Sequence, residues 1–113
     1  MKLTIDNLKG IGAFAGGAVL KTVQWSQNGE DFEAEVYVRP MSYQSVSEAK
    51  EGENTVAHRI ATHILNEDGT PVFTVDDVTG AADPERGPLG LALTNALMAM
   101  IAEVTFSGKK KTS

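Results

Sequence analysis

The pair Asn28-Gly29, set between two runs of alternating residues, constrains the fold more than any other feature of the sequence. Both residues tolerate the positive φ of a two-residue type I′ turn, which commits the flanking chain to an antiparallel hairpin. Before the turn, Val19, Lys21, Val23 and Trp25 alternate with Leu20, Thr22 and Gln24. After it, Phe32, Ala34, Val36 and Val38 alternate with Glu33, Glu35, Tyr37 and Arg39. A period of two, rich in β-branched and aromatic residues, predicts strands with one buried and one wet face. Pro40 cannot donate to a sheet ladder and ends the second strand.

The rest of the chain supplies short elements and one long one. Residues 42–50 read as a short helix, with Ser42 or Ser45 as its N-cap. Residues 55–65 read as a third strand, followed by a turn at Asn66-Glu67-Asp68-Gly69 and a short edge strand at Pro71-Val72-Phe73. Thr74 precedes Val75-Asp76-Asp77, whose acids suit the first turn of a brief helix ending before Gly80. Pro88 suits the first position of the last helix, in which Leu89, Leu93, Ala96, Leu97, Met100, Ile101 and Val104 share one face. Ser107-Gly108 ends that helix.

These elements predict an α+β fold: a small antiparallel sheet with a β-hairpin, packed against a long C-terminal helix and short helices. At 113 residues the chain fits one domain. We place it at residues 19–106. Residues 1–18 form a glycine-rich N-terminal arm, expected to be flexible because Gly10, Gly12, Gly16 and Gly17 fall close together. Residues 107–113 form a polar basic tail.

Charge narrows the partners. The formal net charge is −5, and Lys109, Lys110 and Lys111 contribute +3, leaving −8 on the rest. An acidic body repels phosphate backbones and anionic membrane surfaces, so neither nucleic acid nor membrane is an expected partner. Residues 10–20 are apolar but about half the length of a membrane span. The N-terminus lacks the long apolar stretch of a signal peptide, and the absence of cysteine suits a reducing compartment, so cytoplasmic residence is the expectation.

Candidate chemistry is sparse. His58 and His63 lie five apart, and on a strand they point to opposite faces and cannot share a metal. Gly10-Ile11-Gly12-Ala13-Phe14-Ala15 fits a relaxed dinucleotide fingerprint, but a hairpin follows it where a helix is required. The turn at residues 66–69 lacks the spaced oxygens and the twelfth-position glutamate of a calcium loop. Asp76 and Asp77 read as first-turn acids. Neither a catalytic constellation nor a cofactor or metal site is expected.

The last helix carries more apolar residues than one core face needs. Leu91 and Met98 lie nearly opposite its main stripe, and Ala92, Ala99 and Ala102 thin out the polar side. A helix apolar nearly all round is either deeply buried or covered by a partner. Leu91, Met98 and the helix end near Phe106 are the partner-binding candidates, and methionine adapts well to an irregular client surface.

The order of elements, and above all Asn66-Glu67-Asp68-Gly69-Thr70-Pro71-Val72-Phe73-Thr74-Val75-Asp76-Asp77-Val78 followed by an apolar helix, resembles the tail assembly chaperones of long-tailed bacteriophages. The resemblance covers roughly residues 19–106. It implies a protein, not an enzyme, that coats the tape measure protein in the host cytoplasm and keeps it soluble. Such a protein helps tail tube subunits polymerise around that client, self-associates along it, and is absent from the mature virion. Many such genes also yield a longer product by programmed frameshifting, with which Gly108-Lys109-Lys110-Lys111 is compatible. The alternative is a structural tail component, a tube or terminator subunit retained in the virion.

Overall fold

The computed structural model describes residues 2–10, 16–48 and 55–107. The hairpin forms as the sequence predicts. Asn28 and Gly29 take φ of 55° and 81°, and β1 (Val19–Gln27) pairs with β2 (Glu30–Val38) without a bulge. The register runs from Gln27↔Glu30 at the turn to Val19↔Val38 at the base. That register puts Val19, Lys21, Val23 and Trp25 on one face with Val38, Val36, Ala34 and Phe32.

Beyond the hairpin the chain winds into α2 (Tyr43–Glu48). Ser42 is its N-cap: the Ser45 amide donates to the Ser42 hydroxyl at 3.2 Å, and the Ser42 amide donates to Ser45 Oγ at 2.8 Å. Ser45 is fully buried.

The third strand predicted over residues 55–65 is corrected by the structure. Thr55–His63 is a helix, α3, and only Ile64–Leu65 is extended, as β3. The buried positions explain it: Ala57, Ile60 and His63 recur every three residues and so lie on one side of a helix. Packing of that side against the core overrides the strand preference of the β-branched residues. β3 then adds to the far side of β2 through Tyr37↔Leu65 and Val38↔Ile64, giving the order β1-β2-β3. The predicted edge strand at residues 71–73 reduces to a single bridge, Pro71 to Leu65.

α4 (Val75–Thr79) starts at a reciprocal cap. The Asp77 amide donates to Thr74 Oγ1 at 3.0 Å, and the Thr74 amide donates to Asp77 Oδ2 at 2.9 Å. It stops at Gly80, whose φ is 93°. α5 (Leu91–Ala102) begins after Gly90, three residues later than Pro88 indicates, and continues as a π-helical turn over Glu103–Ser107. The Met41 amide donates to Thr105 Oγ1 at 3.0 Å, pinning that turn to the exit of β2.

One core joins these elements. It takes Val23 from β1, Val38 from β2, Ala57 and Ile60 from α3, Ile64 from β3, Val78 from α4, and Leu97, Met100 and Ile101 from α5. The N-terminal arm contains a short helix, α1 (Ile5–Gly10), that buries no residue; Ile11 to Ala15 of the glycine-rich stretch lie outside the described residues. The Cα radius of gyration is 15.8 Å, against about 13 Å for a compact chain of this length. The exposed arm and hairpin tip extend beyond the core.

Candidate protein-binding surface

α5 packs along β1, and two contacts fix its direction. Gly90, at its start, lies beside the Gln27 side chain, while Glu103, just past its end, pairs with Lys21 Nζ at 3.1 Å. The helix therefore runs opposite to β1. Its cover is uneven. Val23 is 4% exposed beneath α5, yet Ala34, its cross-strand partner on the same face, is exposed. Further toward the tip, Trp25 and Phe32 stack with ring centroids 5.6 Å apart and planes at 26°. Phe32 remains 42% exposed. On β2 this face is open at Phe32 and Ala34, toward the hairpin tip, and closes through half-buried Val36 to fully buried Val38 at the base.

The residues singled out from the sequence separate. Leu91, in the first turn of α5, is 72% exposed, and Phe106, in the π-helical turn, is 80% exposed. Met98 is half-buried and packs against the core. Leu91 and Phe106 are fifteen positions apart, roughly 22 Å along a helix axis, so they mark two ends of one element. Sequence reasoning missed Phe32 and Ala34: alternation identifies an apolar face but carries no signal for how far a helix will cover it.

Three titratable groups, His63, Asp68 and Asp77, have well-defined structural partners. His63 is buried, and its Nδ1 lies 2.7 Å from the Arg59 carbonyl, to which it donates. His58 and His63 both sit on α3, about 140° apart around its axis rather than on opposite faces of a strand. Among the described residues no His/Cys/Asp/Glu group has metal-holding geometry, and no helix is long and apolar enough to cross a membrane.

In the acidic turn, the Thr70 hydroxyl and amide both donate to Asp68 Oδ1, at 2.6 and 3.0 Å. These bonds hold the Asp68 carboxyl below its usual 3.8, the hydroxyl contributing most. The Thr74 amide, followed by the Arg86 guanidinium 3.0 Å away, lowers Asp77 in the same way. A carboxyl lowered on folding adds stability above its unfolded pKa, and that stability is lost as pH falls through the folded value. The contribution of these two carboxyls to stability in denaturant should therefore be constant near neutrality and be lost below pH ~4. Asp77→Asn should make that loss smaller.

A family model described as phage tail assembly chaperone, TAC, matches residues 6–105. No curated protein and no solved structure matches the chain. The match takes in the hairpin, all the short helices after it and α5. With a small antiparallel sheet, a long C-terminal helix and a family match over most of its length, the chain belongs to the phage tail assembly chaperones, which are not an enzyme family.

Proposed function

We propose that this chain binds the tape measure protein of its phage, keeps it soluble in the host cytoplasm, and promotes tail tube polymerisation around it. The observation that carries the reading is the exposure of Leu91 and Phe106 at the two ends of the α5 element, within a chain of this family. Large apolar side chains left in water favour a partner that covers them. Met98 lies between them and offers an adaptable, half-buried support. A grip of this kind needs residue class more than exact geometry, which suits a long client that must later be released. Several copies along one client, self-associating there, complete the reading, with the tail tube protein as a second partner. No chemical step is required of any residue.

Leu91→Ser and Phe106→Ser should fold normally, since both side chains are exposed. Each should weaken client binding by about tenfold, measured by titration of the purified complex. Full binding by both folded variants would remove these residues from the site. Mass spectrometry of purified virions tests the role itself. An assembly chaperone is absent from the particle, whereas many copies there would make the chain a structural tube or terminator subunit.

A further inference from the structure

We infer that the outer face of the hairpin, the side turned away from α5, docks a basic helical segment of a partner protein. That segment carries lysine or arginine along one side and an apolar residue at one end. The inference rests on the chaperone reading for the partner's identity, and on this face alone for its chemistry.

The pairing register sorts the residues. Leu20, Thr22, Gln24 and Ser26 stand opposite Tyr37, Glu35, Glu33 and Asp31, and all of them point away from the face that buries Val23 and Val38. Asp31, Glu33 and Glu35 thus form an exposed acidic column along β2, beside the uncharged Thr22, Gln24 and Ser26 of β1. At the base of the hairpin the column meets an apolar row. Leu20, Tyr37, Leu65 and Pro71 are successive cross-strand partners. Leu20, Tyr37, Leu65 and Val72 line one shallow recess together with Glu35 and Glu67. Leu20 is 49% exposed and Val72 40%.

The charge on this face is unanswered. Among the described residues no lysine or arginine pairs with Glu33, Glu35 or Glu67. Ser26 donates to Asp31 and leaves its charge in place. Arg39, half-buried and already engaged, follows Tyr37 at the far end of the column. Carboxylates spaced along an exposed strand attract a cationic surface and repel an acidic one. The same face of a second copy is repelled on that ground.

Spacing and hydrogen bonding select a helix. Acids two apart on a strand recur about every 6.8 Å, and lysines four apart on a helix about every 6 Å. The flexible lysine stem absorbs the difference. An extended segment would match the spacing as well, but laid on a sheet face its N–H and C=O groups would find no ladder. A helix satisfies them internally. From Asp31 to Tyr37 the column is roughly 20 Å long, the length of about fourteen helical residues. A helix about 10 Å wide spans two strands about 4.8 Å apart, so it covers the acidic and the neutral column together. Its apolar end then seats on Leu20 and Tyr37.

The test titrates the full chain with labelled helical peptides of about 16 residues, read by fluorescence anisotropy. One peptide carries lysines at i, i+4 and i+8 with a leucine one turn beyond. A second has the same composition with the lysines spread around the helix, and a third has glutamate for lysine. The striped lysine peptide should bind at least about fivefold tighter than the scrambled one, and the glutamate peptide should not bind. Binding should weaken steeply toward about 1 M salt. Glu33→Gln combined with Glu35→Gln, both at exposed positions, should lose about fivefold or more in affinity. Ala34→Lys, which changes the charge on the opposite face, and Leu91→Ser should leave the titration unchanged. Circular dichroism checks the folding of each variant.

Equal affinity for the striped and scrambled peptides, salt-independent binding, or full affinity in the folded double variant would overturn the inference. An equal loss in Ala34→Lys would do the same, since it would reduce the effect to net charge. So would self-association of the wild type that the double variant abolishes, which would give this face to a second copy. Only synthetic peptides enter the titration, so its failure leaves the chaperone reading standing. If instead co-expression with the tape measure protein fails while the peptides bind as described, the face remains a site for a basic helix of another partner.

Discussion

Gly80→Ala should destabilise the protein by about 3 kcal/mol or more and lower Tm by more than about 10 °C. Two costs combine at this position. Its φ of 93° strains any residue with a Cβ. A Cβ there would also meet backbone atoms, with Pro88 N at 2.7 Å and the Gly87 carbonyl carbon at 3.0 Å. Those atoms belong to the loop that returns from α4 toward α5, held by the Leu89 amide donating to the Val78 carbonyl at 3.0 Å. The loop must move to admit the methyl group. Gly69 provides the comparison, because its φ is 90° and nothing lies within 4 Å of an added Cβ. Gly69→Ala should cost only the conformational strain, about 1–2 kcal/mol. Equilibrium unfolding in urea of both variants separates the two costs, and equal losses would contradict the close approach at Gly80.

Ile60→Ala should cost about 3–4 kcal/mol, and Ile60→Val about 1 kcal/mol. Ile60 is fully buried on α3, where that helix meets the core contributed by the sheet, α4 and α5. Removing three carbons there leaves a cavity that neighbours from several elements cannot all close. A domain of this size holds about 6–17 kcal/mol in total, so the alanine variant spends a large share of it. The same urea experiment checks both values. An alanine variant within about 1 kcal/mol of wild type would mean that α3 is not docked as described.

Local chemistry made some of the fold legible and left the rest to packing. The hairpin was readable because Asn28-Gly29 needs positive φ at both positions and the alternation on each side has one parity. The start of α4 was readable because Asp76 and Asp77 suit a first helical turn after Thr74, whereas the reciprocal Thr74–Asp77 cap emerged only in the structure. The apolar stripe of the last helix was readable from its period, and its buried members Leu97, Met100 and Ile101 all lie in that stripe. Residues 55–65 misled because threonine, valine and isoleucine favour strands when isolated, while Ala57 and Ile60 are held by a helix face against the core. Pro88 misled by three residues, since the loop fixed at Gly80 keeps it outside α5.

The candidate surface was legible only in part. Leu91 and Phe106 stand out because they fall off the buried stripe or past its end. Phe32 and Ala34 do not, because their exposure depends on where α5 crosses the hairpin. That crossing is set by the long-range packing of Leu97, Met100 and Ile101 with Val23 in one core, which no local pattern encodes.

The central claim is that this chain keeps a tape measure protein soluble by coating it. Co-expression of the full chain with that protein, followed by size-exclusion chromatography with light scattering, tests it most directly. The account predicts that the tape measure protein is soluble only when this chain is present, in a complex containing several copies of it. A tape measure protein that stays insoluble, or a chain that ignores it and forms tubes by itself, would contradict the account.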